Sequence, residues 1–199
     1  MRTRRVVPFL AAALCSVALT PASAWADEAL RITGADVTVV CPLTIGGNFE
    51  AKTTAVSGNL SPTGGGSVKG AVAIDLMKIE TGISLRDRHL RNNYLEVQKG
   101  ADFAVAKVEN LKVEKLPGKT TFHGTLWLHG QQREINGTAD VQQDGKSYRV
   151  EASFPIQISS FQIPKPTYLG VGVGDEITVR VSLTAVPGGS GVGATTTGQ

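Results

Sequence analysis

The sequence predicts an all-β, antiparallel fold. Three observations carry this: apolar and polar residues alternate run after run, turn residues separate the runs, and no long amphipathic helix follows residue 27. Tyr148, Val150, Ala152, Phe154, Ile156 and Ile158 alternate with Arg149, Glu151, Ser153, Pro155 and Gln157. Val72, Ile74 and Leu76 alternate with Ala73, Asp75 and Met77, and Ile177, Val179, Val181 and Leu183 with Thr178, Arg180, Ser182 and Thr184. A period of two gives each strand one apolar and one wet face, which suits antiparallel pairing rather than a helix-covered parallel sheet.

The chain opens with a leader. Arg2, Arg4 and Arg5 precede a low-charge run from Val6 to Thr20, and Ala24-Trp25-Ala26 supplies a small-residue cleavage site before Asp27. That is the layout of a secretory signal peptide, too short in its apolar part to span a membrane. Val7 and Pro8 after the arginines favour a Sec-type route over a twin-arginine one, and Leu14 before Cys15 argues against lipoprotein processing. The expected location is periplasmic or secreted, with cleavage after Ala26. The leader removes three of the 20 basic residues, leaving 17 Lys and Arg against 17 Asp and Glu. A neutral domain has no overall electrostatic drive toward nucleic acid or anionic lipid. Cys41 is then the sole cysteine, so stability rests on packing rather than an internal disulfide.

Along residues 27–186, Gly46-Gly47 and Gly64-Gly65-Gly66 mark turns. Strands are expected near 102–115 and 119–130, joined at Pro117-Gly118, and near 134–142 and 146–158, joined by the hairpin signal Asp144-Gly145. Gly170 to Gly174 reads as a turn, since no helix follows it to cradle a nucleotide. One segment is different. Ser84 followed by Asp87 resembles a capping box, Asp87 and Arg91 stand i, i+4, and Leu90 and Tyr94 share a face, so a short helix is expected over 84–94. Residues 187–199 carry no charge and one aliphatic, Val192, and read as a disordered tail. About eight strands result, a number that fits a sandwich or a barrel, and pattern alone does not choose.

The helix segment carries a resemblance. Thr81-Gly82 ending a strand, then Arg86, Asp87, His89 and Leu90, resembles the signature of the YceI-like, polyisoprenoid-binding family. Phe154-x-Ile156, Phe161-x-Ile163 and Gly174 to Val179 are similar to its last two strands, and Val37 to Cys41 with Gly58-Asn59-Leu60 to its first. The similarity spans about residues 29–186. Cys41 stands where many members carry histidine, and Lys99-Gly100 replaces the usual Tyr-Pro. The resemblance implies an eight-stranded antiparallel, lipocalin-like barrel with a helix beside or across it. Members hold long apolar ligands such as isoprenoid chains or amphiphilic amides.

Within that frame, Val72, Ile74, Leu76, Phe103, Phe122, Phe154, Ile156 and Val179 are expected to line one lumen, each on the apolar parity of its strand. Phe122 shares its strand with Trp127 on the other parity, so either face of 119–130 can point inward. Arg86, Asp87 and His89 are candidates for holding a ligand head group at the barrel mouth; the bland alternative is a helix cap and a solvated face. An Asp87–His89 base pair would instead make an enzyme, and exposed strand edges a partner-binding module. His123 and His129 lie six residues apart, nearly 20 Å along a strand, and cannot share one ion. No metal, cofactor or catalytic residue is expected, and Cys41 reads as an inert, semi-buried thiol. Asn136-Gly137-Thr138 is a formal glycosylation sequon set inside a strand. The expected function is binding of a long apolar molecule, with its identity, its physiological role and the oligomeric state, a homodimer included, left open.

Overall fold

The computed structural model describes residues 29–63, 67–168 and 171–188. The segments expected to be a leader, a turn at Gly64–Gly66 and a C-terminal tail beyond Gly188 lie outside the described residues, as do residues 169 and 170. Alternation becomes pairing nearly everywhere. The strands are β1 (Leu30–Pro42), β2 (Asn48–Thr53), β3 (Val56–Pro62), β4 (Ser67–Asp75), β5 (Val105–Val113), β6 (Gly118–Leu128), β7 (Gln131–Asp144), β8 (Ser147–Gln157), β9 (Thr167–Tyr168), β10 (Val171–Gly172) and β11 (Glu176–Pro187).

Neighbours run β11-β8-β7-β6-β5-β4-β3-β1, and β1 pairs back onto β11, closing an eight-stranded antiparallel barrel. Closure is what the sequence pattern could not decide against a sandwich. β2 adds a ninth strand with a simple origin. Val37 faces Thr53 and Leu30 faces Leu60 in one unbroken register, so β2 and β3 are a single partner of β1 interrupted at Thr54-Ala55. Past that break the free side of β2 is taken by Glu80, which exchanges backbone hydrogen bonds with Lys52. β9 and β10 form a separate small hairpin where a turn was expected.

Up-and-down topology sorts the connections to two ends. The β3–β4, β5–β6 and β7–β8 connections lie at one end with Leu30 and Pro187, the short-turn end; the long β4–β5 and β8–β11 connections lie at the other, together with the two-residue β6–β7 turn. The β7–β8 turn falls one residue later than expected: Asp144 still pairs with Ser147, and Gly145-Lys146 makes the turn with Gly145 at φ +59°. Gly70 (φ +106°) sits in the irregularity between β4 and β5. A Cβ there would lie 2.0 Å from the Asn59 carbonyl oxygen, so only glycine fits.

The expected helix is present as α1 (Ser84–His89), continued by a wider π turn over Leu90–Tyr94. Its start is not the expected capping box. Ile83 occupies the N-cap and no side chain caps it. The Asp87 carboxylate instead accepts from the Thr81 amide (2.6 Å) and hydroxyl (2.5 Å), upstream of the helix. Arg91 donates to the Met77 and Ile79 carbonyls, at 3.4 and 3.2 Å, which ties the helix to the turn that follows β4.

A second correction concerns Phe103. Residues 101–104 form a helical turn, α2 (Ala101–Ala104), and β5 begins only at Val105. Gly100 at φ +134° turns the chain there, so strand parity does not extend back to Phe103. The inward row of β5 is Ala106 and Val108 and, past the irregularity at Asn110, Leu111 and Val113. On β6 the choice of face is clear: Phe122 is 6% exposed and Trp127 is 40% exposed.

Candidate functional site

The inward rows enclose an apolar lumen in two chambers. The first, about 160 Å³, lies toward the short-turn end, with Leu60, Val68, Leu111, Leu116, Tyr148, Val150 and Leu183 among its lining. The second, about 120 Å³, lies toward the other end, between Cys41, Phe49, Leu76, Leu126, Ile156 and Val179. Val37, Ile74, Val108 and Phe154 line both and form the waist between them. Seven of the eight expected lumen residues line a chamber: Val72 and Phe122 the first, Leu76, Ile156 and Val179 the second, Ile74 and Phe154 both. Phe103 lines neither; its ring sits edge-on to His129, 4.7 Å between centroids.

Burial separates the two ends. At the short-turn end Pro62, Val68, Leu111, Val113, Leu116, Tyr148 and Val150 line the chamber yet are only half-buried, against Val39, Phe49, Leu90, Tyr94 and Pro166 in the second chamber, so this end is the more open and is called the mouth. At the other end Leu76, Ile79, Leu95, Ile158, Ile163 and Val173 are buried and form a cap. The cap has two halves: the segment from 76 to 104, and the turn over Ile158–Phe161 with the chain that follows. The resemblance implied a helix beside or across the barrel; the structure sets it across one end, where Leu90 and Tyr94, expected to share a face, both line the second chamber.

His129 joins the halves. It sits in the β6–β7 turn at φ +52° rather than on a strand, 6% exposed. Its Nδ1 donates to the Phe161 carbonyl (2.9 Å) and its Nε2 lies 3.1 Å from the Glu96 carboxylate. Glu96 also pairs with Lys99 at 2.8 Å, and the hydrogen bond from Lys99 holds the Glu96 carboxyl below its ordinary range. Nothing in strand periodicity marks a turn histidine as an anchor.

The head-group candidates lie at the capped end, not the mouth. Asp87 is 7% exposed and committed to Thr81. Desolvation raises its carboxyl, but the Thr81 hydrogen bonds and the Arg91 and Arg86 charges outweigh that and hold it below the usual carboxylate range. His89 is exposed, two residues further along α1, so it and Asp87 face different ways and form no base pair. Neither lines a chamber. Arg86 alone of the three reaches the lumen wall: its guanidinium stacks on the Phe49 ring, 4.6 Å from the centroid, and its Nε donates to the Thr81 hydroxyl at 2.9 Å. Cys41 is buried opposite Phe49, and desolvation pushes its thiol up to about 11, with Arg86 pulling the other way. A thiol held protonated at neutral pH is a poor nucleophile and metal ligand. Chemically, the lumen offers apolar contact and shape, with no charged side chain among the described residues of its lining.

A closed antiparallel barrel with a divided apolar lumen, a more open end and a helical cap at the other is a lipocalin-like architecture. The chain belongs to the YceI-like domain family, whose match runs over residues 27–185. Among solved structures it is similar to BcnA of Burkholderia cenocepacia, at 16% identity and TM-score 0.65, covering 76% of this chain and 96% of that one. It is also similar to a polyisoprenoid-binding domain from Saccharophagus degradans, at 16% identity and TM-score 0.61, with coverages of 79% and 98%. The YceI protein of Campylobacter jejuni gives 18% identity and TM-score 0.55 over 69% of this chain and 84% of that one. No curated protein matches the chain. Among the described residues, no helix is long and apolar enough to cross a membrane.

Proposed function

We propose that this protein is a carrier that holds a long apolar chain in its barrel lumen, of the isoprenoid, quinone or fatty-amide kind, and that it works in the periplasm or outside the cell. The observation that carries this reading is the lumen itself: two adjoining chambers of about 160 and 120 Å³ with no charged side chain among the described residues of their lining. Such a space is suited to hydrocarbon, since each methylene moved out of water contributes ~0.8 kcal/mol. About ten methylenes give roughly 8 kcal/mol gross, the scale of micromolar binding before association costs. The family match and the similarity to a domain described as polyisoprenoid-binding support the same class of ligand. Binding rather than catalysis is proposed, because Asp87 is engaged by Thr81 and His89 faces away from it. The leader pattern supports export, with cleavage after Ala26; the intact mass of the exported protein checks this, and a lipid-modified Cys15 would contradict it.

Native mass spectrometry of the mature protein, purified gently and then loaded with prenyl alcohols, tests the binding. Uptake is expected for the wild type and for Thr121→Asp, whose side chain is exposed on the outer face of β6. It should be lost in Leu76→Asp and in Val150→Asp, which place a charge in each chamber. A folded wild type that takes up no chain sinks the proposal.

A further inference from the structure

Within the lumen-binding reading just given, we infer that Phe154 sets the chain length the protein accepts. The two chambers share four lining side chains, Val37, Ile74, Val108 and Phe154, and Phe154 is the one aromatic ring among them. It therefore stands where a chain entering from the mouth must pass to reach the capped chamber.

Its distance from the mouth follows from β8. The inward row runs Tyr148, Val150, Ala152, Phe154, and six residues of strand span roughly 20 Å. Strands tilted about 40° to the barrel axis shorten that to a depth of roughly 15 Å. An extended chain advances about 1.2 Å per bond, taking a three-bond residue at about 3.5 Å. The path from the mouth rim to the ring is therefore about a dozen main-chain carbons long, its outer part lying in the open mouth, and the next carbon meets the Phe154 ring.

The ring is held but not locked. Its partner is Phe122, edge-to-face with 5.8 Å between centroids and an 89° interplanar angle. Phe122 in turn is seated over Gly137, where a Cβ would come within 2.6 Å of Phe122 Cε1. This notch keeps the Phe122 ring back against the wall and leaves Phe154 projecting. Space on both sides of Phe154 lets its ring swing without backbone movement, against an edge-to-face contact worth a factor of roughly 2 to 12.

The expected signature is a break in the dependence of affinity on chain length. Each added methylene should tighten binding about fourfold until the chain reaches the waist. At about a dozen carbons the wild-type series should break, falling below the fourfold line by a factor of about 2 to 12 as the ring is displaced. The test uses the mature protein and primary fatty amides of eight to twenty carbons, which share one head group, with displacement of a bound fluorescent fatty-acid analogue as readout. In Phe154→Leu, which keeps most of the core volume, the increments should continue past the break. The affinity ratio of the sixteen- to the twelve-carbon amide should rise by a factor of about 2 to 12 over wild type, the cost of displacing the ring. Phe122→Leu, which removes the edge contact and leaves the waist residues alone, should move the ratio the same way by a smaller factor. A wild-type series with no break, or a break unmoved in both variants, overturns the role of Phe154 while the lumen reading stands. A wild type that binds no amide of any length overturns both.

Discussion

The His129 ring bridges a backbone carbonyl and a carboxylate from opposite halves of the barrel cap: Nδ1 lies 2.9 Å from the Phe161 oxygen and Nε2 3.1 Å from Glu96. Phe161 is 2% exposed, so its carbonyl has little water to fall back on. His129→Ala should lower unfolding free energy by about 1–3 kcal/mol through that orphaned acceptor and the lost Phe103 contact. Urea denaturation measures it. Glu96→Gln, which keeps a side-chain oxygen near Nε2, should lose less than His129→Ala; the reverse ranking would show the carboxylate, not the Phe161 bond, to be the anchor.

Asp87 makes stability depend on acid. Its carboxyl is held below the ordinary value, so its contribution is fully present above pH ~4 and is lost as pH falls through the depressed value. Asp87→Asn should be destabilised by about 2 kcal/mol at pH 7, the scale of hydrogen bonds to a charged group. The gap to wild type should close on acidification below pH ~4. Thermal melts of both proteins from pH 2 to 7 test this, and a gap independent of pH would contradict it.

Cys41 acts at the alkaline end. A thiol pushed up to about 11 stays protonated in the fold while an unfolded thiol ionises near 8.5 to 9. Stability is therefore fully present below pH ~8.5 and declines as pH rises toward 11, by roughly 2 to 3 kcal/mol in total. Cys41→Ala should flatten that decline. At pH 7.5, iodoacetamide should modify native Cys41 far more slowly than the denatured thiol; equal rates would mean the site opens readily.

Gly137 should tolerate no side chain. A Cβ there would sit 2.5 Å from the Ser153 carbonyl oxygen and 2.6 Å from the Phe122 ring. Gly137→Ala should cost about 1–3 kcal/mol by overpacking, read from denaturant midpoints. Gly34→Ala, where nothing lies within 4 Å of the added carbon, is the control and should change little.

Much of this was legible in the residues. The period-two rows of β4, β8 and β11 placed Val72, Ile74, Phe154, Ile156 and Val179 inward because a strand leaves a side chain only two directions. The Thr81 to Leu90 signature led to the family, and Asp144-Gly145 located a hairpin to within one residue. Each of these is a local rule, satisfied by neighbours in the chain.

What tertiary structure decided is everything that depends on residues far apart in sequence. Strand alternation is the same in a sandwich and a barrel; only the pairing of β1 with β11, some 150 residues away, closes the wall. Phe103 escaped its expected row because helical turns bridging β4 to β5 replaced the strand there, and periodicity extrapolated past Val105 had nothing to detect that. Asp87 looked like a helix cap by spacing, yet the fold gave its carboxylate to Thr81 and left the helix start to Ile83. His129, Glu96 and Phe161 are 33 and 32 residues apart and meet only because the barrel brings three connections to one end. The waist at Phe154 arises the same way: an inward ring is a sequence fact, but whether it fills a core or divides a lumen depends on what the opposite wall supplies. Here Val37, Ile74 and Val108 come from three other strands, and their packing leaves a chamber on either side.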